Sequence, residues 1–424
     1  MRVRLDYGKT GLEADLPDGN LWGVLRVSPA PPLADTGAAI GEALAHPIGT
    51  PSLVEVARGQ RDACIVICDI TRPVPNSTLL PPILAALDQA GIGRECVTIL
   101  IATGTHRPNV GEELIALVGA DVARTVRIVN HDCHDMAQHR FLGTSPNGVP
   151  VWLDRTYCDA GLKITVGLIE PHFMAGYSGG RKMVMPGVAA METVKRWHCP
   201  RFLESPLATN HSVRGNPVHE ETLAIARMQR PDFMLDVTLD AGNKITGVFA
   251  GDLEAAWQAG VDFAGRHVRV GVPEAADVVV TSGAGYPLDG TFYQLIKGMV
   301  GALPVVKPGG TIIIAGECAE GVGSEAFTRT LLEAGDLEEF VRRISEPDVF
   351  LPEEWQVEEL AKARRQADVV VVSSIPASTL SRCHVTPAPD VAAALEAAFE
   401  RHGRGASLLA IPRGPYVIPY VEGA

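Results

Sequence analysis

The 424-residue sequence contains no run of about 18 apolar residues, which excludes an ordinary membrane-spanning helix. Met1-Arg-Val-Arg-Leu-Asp6 is followed by no apolar stretch, so no secretory signal is expected. Positive charge is scarce: 37 Lys and Arg against 50 Asp and Glu leave a formal charge of −13. That balance argues against nucleic-acid or anionic-membrane partners. An anionic ligand would have to be met by a local group of cations. Cys-x-x-Cys pairs are also missing. The eight cysteines (Cys64, Cys68, Cys96, Cys133, Cys158, Cys199, Cys318, Cys383) fall mostly in apolar runs and read as reduced thiols of a cytoplasmic protein.

What is present is the composition of a globular chain, 46% hydrophobic and 21% charged, at a length where two domains are expected. Short β-branched runs alternate with segments of helical spacing. Ala63-Cys-Ile-Val-Ile-Cys-Asp69, Cys96–Ala102 and Thr125–Val129 read as strands, separated by helices over 77–91 and 110–118. A second series repeats the pattern, with strands at Ala276–Val280, Gly310–Ala315 and Ala367–Val372. Its helices are expected over 291–303, 324–334 and 390–401. Continuous apolar strands alternating with helices predict an α/β fold of parallel-type sheets covered by helices. Residues 1–267, joined by a returning tail 411–424, are expected to form one domain and 268–410 the other.

Ligands of such sheets bind beyond the carboxyl ends of the strands, and three notable segments fall there. Asp69-Ile-Thr71-Arg72-Pro73 offers a carboxylate and a guanidinium that can clamp an acid, or simply a capping Asp with a solvated Arg. Thr103-Gly-Thr-His106-Arg107-Pro108 places a titratable ring after a flexible glycine, although loop histidines are common. Glu170-Pro-His172 through Gly176-Tyr177-Ser178-Gly179-Gly180-Arg181-Lys182 is denser. Its glycine pair suits a phosphate cradle, while Arg181-Lys182-Met183 rules out a P-loop. A lysine set among glycines, Met and Pro points to a covalent or phosphate-binding role. Further on, His198-Cys199 offers a soft-metal ligand or a core histidine. Tyr293-Gln294-Leu-Ile-Lys297 puts a donor, a cation and a ring at helical spacing, suiting a carboxylate or a solvated face.

Other signals are discounted. His131-Asp-Cys133-His134 lacks a partner pair at zinc spacing and reads as structural. Gly283-Ala-Gly285-Tyr-Pro-Leu288 lacks the third glycine of a dinucleotide turn. His211 and His219 could line a cleft, but no chemistry compels it.

Taken in order, these segments resemble the nickel-dependent lactate racemase family over nearly the whole chain. The resemblance implies two α/β domains with the active site in the cleft between them. It also implies a nickel-pincer nucleotide, a pyridinium-3-thioamide-5-thiocarboxylate mononucleotide carrying nickel, joined covalently to Lys182. The expected cofactor-binding set is Lys182, Asp69, Thr71, Tyr177, Ser178, Gly179 and Gly180, with His198 as the protein's nickel ligand. His106 and His172 are the expected proton-transfer pair. Arg72, Gln294, Lys297 and Tyr293 are the expected substrate-binding residues. The implied partners are a small 2-hydroxy acid, lactate-like or a larger one such as malate, and the maturation proteins that make the cofactor. A cofactor-storage protein would need neither histidine base, and a zinc hydrolase would use the His131 cluster instead.

Overall fold

The computed structural model describes residues 1–210, 212–346 and 349–423. Two six-stranded sheets organise them. In the first, the order is Ile245–Gly251, Phe233–Leu239, Leu162–Leu168, Ala63–Cys68, Val97–Ala102, Arg127–Asn130. All neighbours run parallel except Ile245–Gly251, which returns antiparallel along Phe233–Leu239. The second sheet is wholly parallel, in the order Thr386–Pro387, Ala367–Val372, Val306–Ala315, Ala276–Ser282, Leu408–Ile411, Leu21–Val24. Leu162–Leu168 is buried at every position, as a strand covered on both faces must be.

The expected elements are realised with shifts of one or two residues at their ends, except that the strand expected from Gly310 already begins at Val306. Helices occupy Asn76–Ala90, Gly111–Val118, Phe292–Ala302, Glu325–Leu332 and Val391–His402. None of the helices among the described residues is long and apolar enough to cross a membrane.

The expected grouping of residues 1–267 needs correction at its beginning. Leu21–Val24 pairs with Leu408–Ile411 and so extends the second sheet. The hairpin of Arg2–Leu5 and Leu12–Asp15 buries Val3, Leu5 and Ala14 in one cluster with Val278, Val280 and Leu408. The physical reason is an open edge: Leu408–Ile411 would otherwise present unpaired backbone groups, and the N-terminal segment covers them. The tail, expected to join residues 1–267, makes contacts with both groupings. Ile418–Val421 pairs in parallel with Arg269–Val272, and Ile418 is buried among residues of the first half.

Each sheet has one place where the strand order reverses. In the first it lies between Ala63–Cys68 and Leu162–Leu168, and in the second between Ala276–Ser282 and Leu408–Ile411. Connections leave such neighbouring strands in opposite directions and open a crevice beyond their carboxyl ends. Asp69, Thr71 and Arg72 follow one strand of the first pair; Glu170 and His172 follow the other. Lys297 and Tyr416 follow the two strands of the second pair.

Helix Phe292–Ala302, which carries Lys297, lies close on its sheet. A Cβ added at Gly298 would stand 2.6 Å from the Ser282 carbonyl oxygen and 2.8 Å from Ile314 Cδ1. Alanine normally favours a helix over glycine by about 1 kcal/mol, whereas overpacking costs about 1–3 kcal/mol. Gly298→Ala is therefore expected to lower stability in urea denaturation by about 1–2 kcal/mol, and a gain would show that this helix is free to move off its sheet.

Candidate active site

Beyond strand Ala63–Cys68 the chain turns on Asp69. Its Oδ1 accepts the Thr71 hydroxyl at 2.6 Å and the Thr71 amide at 3.2 Å, while Oδ2 lies 2.7 Å from His106 Nδ1. Burial alone would raise this carboxyl. The bonds from His106 and Thr71 and the charge of Arg72 outweigh burial and hold it below the usual carboxylate value. His106 reaches Asp69 from a turn after Val97–Ala102, where Gly104 takes a left-handed φ of 55°. With Nδ1–H directed at an ionised carboxylate, the lone pair of His106 is left on Nε2, and the side chain is 50% exposed. The expectation that Asp69 and Thr71 bind cofactor meets a different arrangement. Asp69 orients a histidine, and the Thr71 hydroxyl is spent on Asp69.

His172 sits at the start of a small hairpin, Pro171–His172 against Gly176–Tyr177. Its Nδ1 accepts the amides of Met174 and Ala175 at 3.4 and 3.3 Å, which assigns the proton of a neutral ring to Nε2. Burial, then the charges of Lys182, Arg72 and Lys297, push its pKa well below the ordinary histidine value. The two histidines thus present opposite faces: a bare Nε2 on His106 and an Nε2–H on His172.

A cavity of about 60 Å³ is lined by Thr71, Arg72, Glu170, His172, Lys297 and Tyr416, among others. Arg72 Nε lies 3.2 Å from Glu170 Oε1. Burial raises the Glu170 carboxyl, with Arg72 and Lys297 opposing it. Lys297 is pushed down to about 7 by burial and by Arg72, with Glu170 opposing. Arg72 and Lys297, both expected on a substrate carboxylate, therefore stand together. Glu170 was visible in the Glu-Pro-His run, yet nothing local marked it as the partner of Arg72. Tyr416 carried no sequence signal beyond its place in the returning tail.

His106, Lys182, His198, Tyr293 and Gln294 do not line that cavity. The Tyr293 hydroxyl accepts Trp355 Nε1 at 3.0 Å and its backbone carbonyl accepts the Gln356 amide, so Tyr293 braces a neighbouring helix. The Gln294 side-chain oxygen is buried without a hydrogen-bond partner among the described residues. Lys182, in the short helical turn Gly180–Met183, is half-buried with its ammonium nitrogen 5.4 Å from the Trp197 ring centre. Among the described residues no carboxylate pairs with it. Burial and the charges of Arg181, Arg72 and Lys297 hold its pKa well below that of a free lysine. His198 ends helix Met191–Trp197, stacked on Trp197 at 4.0 Å and tilted against Trp355 at 4.8 Å. Its Nδ1 is buried without a hydrogen-bond partner among the described residues, and burial, with Lys182, keeps the ring neutral.

The phosphate cradle expected at Gly179-Gly180 is not what this turn forms. The Gly180 amide donates to Asp236 at 2.7 Å, and the Ser178 hydroxyl donates to the Leu168 carbonyl at 2.6 Å. Both glycines are left-handed, with φ of 72° and 51°, and a Cβ on Gly179 would meet Asp236 at 2.3 Å. Tyr177 is buried in one apolar cluster with Trp257. This turn leads directly into Lys182, whose amide donates to the Gly179 carbonyl at 3.0 Å. Arg181 is buried too, donating to the carbonyls of Ala175 and Tyr177, and burial pushes it down to about 9.

The discounted histidines have structural partners. His131 engages Asp154 and the Ala189 carbonyl at its two ring nitrogens, so both face protein partners. No group of three His, Cys, Asp or Glu among the described residues could hold a metal ion. His219 is stacked on Trp257 and pushed down to about 3 by burial. His211 lies outside the described residues.

Two family models match the chain, the lactate racemase N-terminal domain over residues 7–210 and the lactate racemase C-terminal domain over 272–419. The lactate racemase of Thermoanaerobacterium thermosaccharolyticum is 34% identical over 98% of each chain. That of Lactiplantibacillus plantarum is 34% identical over 98% of this chain and 99% of its own. The solved lactate racemase apoprotein from T. thermosaccharolyticum superimposes with a TM-score of 0.94 over 99% of this chain and 100% of that one. A Thermotoga maritima protein, 19% identical with a TM-score of 0.70, shares the fold over 93% of this chain and 100% of its own. Matched by relatives along its whole length, the chain belongs to the lactate racemase family and is an isomerase.

Proposed function

We propose that the protein racemises a small, lactate-like 2-hydroxy acid, using a nickel-pincer nucleotide attached to Lys182. The observation that carries this reading is the pair Lys182 and His198: a half-buried amine that no carboxylate among the described residues pairs with, beside a neutral histidine whose buried Nδ1 has no hydrogen-bond partner there. Buried polar atoms are rarely left unsatisfied, and a covalently held metal cofactor would complete both. Few other metal ligands are needed from the protein when the cofactor supplies its own. Lys182 and His198 would hold that group, which would supply a hydride acceptor for C2.

The chain's own residues supply the rest. Removing the C2 proton of a carboxylate would build a dianion, so moving the hydroxyl proton alone is the easier task for a side chain. His106 Nε2, its ring oriented by Asp69, is set to accept that proton. His172 stands on the other side of the reaction as its counterpart. Arg72 and Lys297 hold the carboxylate and fix the substrate while C2 is planar. Maturation proteins that build the cofactor are the expected partners, and an assembly of that kind, with no cysteine bridged, fits the cytoplasm.

The reading is tested by a chiral assay of protein co-expressed with the maturation proteins, in which neither lactate nor any other 2-hydroxy acid being racemised would refute it. Intact-mass spectrometry of the same protein should show an adduct that Lys182→Ala loses; an adduct kept by that variant sinks the attachment site. Replacing either histidine by Ala should cost about 10²-fold or more in racemisation. In a single turnover, each such variant is expected to form 2-keto acid from one stereoisomer only, and equal losses for both isomers would mean the rings do not divide the faces. Lys297, pushed down to about 7, is charged below that pH and neutral above it. KM is accordingly expected to rise several-fold from pH 7 to 9, an order-of-magnitude effect for losing one cation. Lys297→Arg should flatten the rise, and a wild-type KM independent of pH would remove Lys297 from the carboxylate site.

A further inference from the structure

Resting on the racemase reading, we propose that the preferred substrate is a monocarboxylic 2-hydroxy acid with an apolar third substituent larger than methyl. That substituent is seated in a second cavity beside the first, and Glu170 turns away dicarboxylic acids. The second cavity has a volume of about 130 Å³ and shares Pro73, Glu170, Pro171 and Tyr416 with the cavity of Arg72 and Lys297. Its remaining wall is chiefly apolar, with Leu168, Ile169, Phe263, Ala264 and Val268. A single water needs roughly 10–15 Å³ of such space, so this one has room for a group of several carbon atoms.

Charge decides what that group must be. A substrate carboxylate takes up Arg72 and Lys297. Of the polar groups in the second cavity, Arg413 is ion-paired with Asp6 at 2.8 Å, and His267 Nδ1 is 2.8 Å from the Ser28 carbonyl. Asp240 is turned on its own loop, accepting the amides of Gly242 and Lys244. Arg107 and Arg181, cations of the neighbouring strand-end segments, do not line this cavity. Arg107 pairs with Glu113 at 2.7 Å, and Arg181 is spent on backbone carbonyls. A second carboxylate entering this cavity would find Glu170 and Asp240 and no unengaged cation, whereas an alkyl group would be desolvated against apolar walls.

The test uses cofactor-loaded protein with lactate, 2-hydroxy-4-methylpentanoate and malate, read by chiral chromatography. The branched acid is expected to exceed malate in kcat/KM by about tenfold or more, and at least to equal lactate. Ala264→Leu and Ala30→Leu, which each add bulk to the second cavity, should reduce kcat/KM for the branched acid about tenfold more than for lactate. Glu170→Gln should narrow the gap between malate and lactate by about tenfold. Malate handled as well as the branched acid, bulky variants that slow both acids alike or neither, or a Glu170→Gln protein with an unchanged gap would each overturn the proposal. Loaded protein that racemises none of the three acids would instead strike down the racemase reading on which it rests.

Discussion

Arg72 lies near enough to depress the proton affinity of both Lys182 and Lys297, and Lys297 that of Lys182, in a protein whose overall charge is −13. Glu170 is ion-paired with the first of them, and Asp69 adds a more distant negative charge. Gathering cations in a partly desolvated place is unfavourable, and the surrounding chemistry follows from it. Lys182 has every reason to give up its proton and become a nucleophile. His172 is kept neutral. Lys297 is left near 7, so that an arriving carboxylate restores charge to it. The negative exterior makes this the local exception that the composition demanded of an anion-binding protein.

The fold concentrates these groups by a double use of one topological device. Each sheet reverses its strand order once, and the four segments leaving those two places carry Arg72, Glu170, Lys297 and Tyr416 to the same cavity. Close backbone packing then fixes their positions. Gly298 allows its helix to approach Ser282, and the Gly179-Gly180 turn leading into Lys182 is clamped by Asp236.

Much of this was legible in the sequence, because strands covered on both faces read as continuous β-branched runs and helices keep their 3.6-residue period. The strand ends therefore marked Asp69, His106, Glu170 and His172 without knowledge of the fold. What escaped was whatever depends on partners distant in the chain. Gly-Gly before a helical turn looks like an open anion cradle until Asp236 supplies the acceptor for its amide. Tyr293 and Lys297 look like a shared face until Trp355 claims the Tyr293 hydroxyl. Leu21–Val24 has only four residues, too few to show in its own composition which sheet edge it covers.

A racemase acts evenly on two mirror-image substrates, yet its two histidines are unequal here. His106 is fixed by a 2.7 Å contact with an ionised carboxylate, so its tautomer is well determined. His172 accepts two long amide contacts of 3.3 and 3.4 Å, weak enough for the ring to change tautomer at small cost. Its low pKa comes from burial first and then from Lys182, Arg72 and Lys297. On the proposed reading, attachment at Lys182 makes the loss of that amine's charge permanent, and a bound carboxylate offsets the other two cations. The proton affinity of His172 then rises only when the site is fully assembled. Evenness toward the two stereoisomers would thus be a property of the loaded, substrate-bound enzyme, produced by cancelling charges around a ring that the free protein holds neutral.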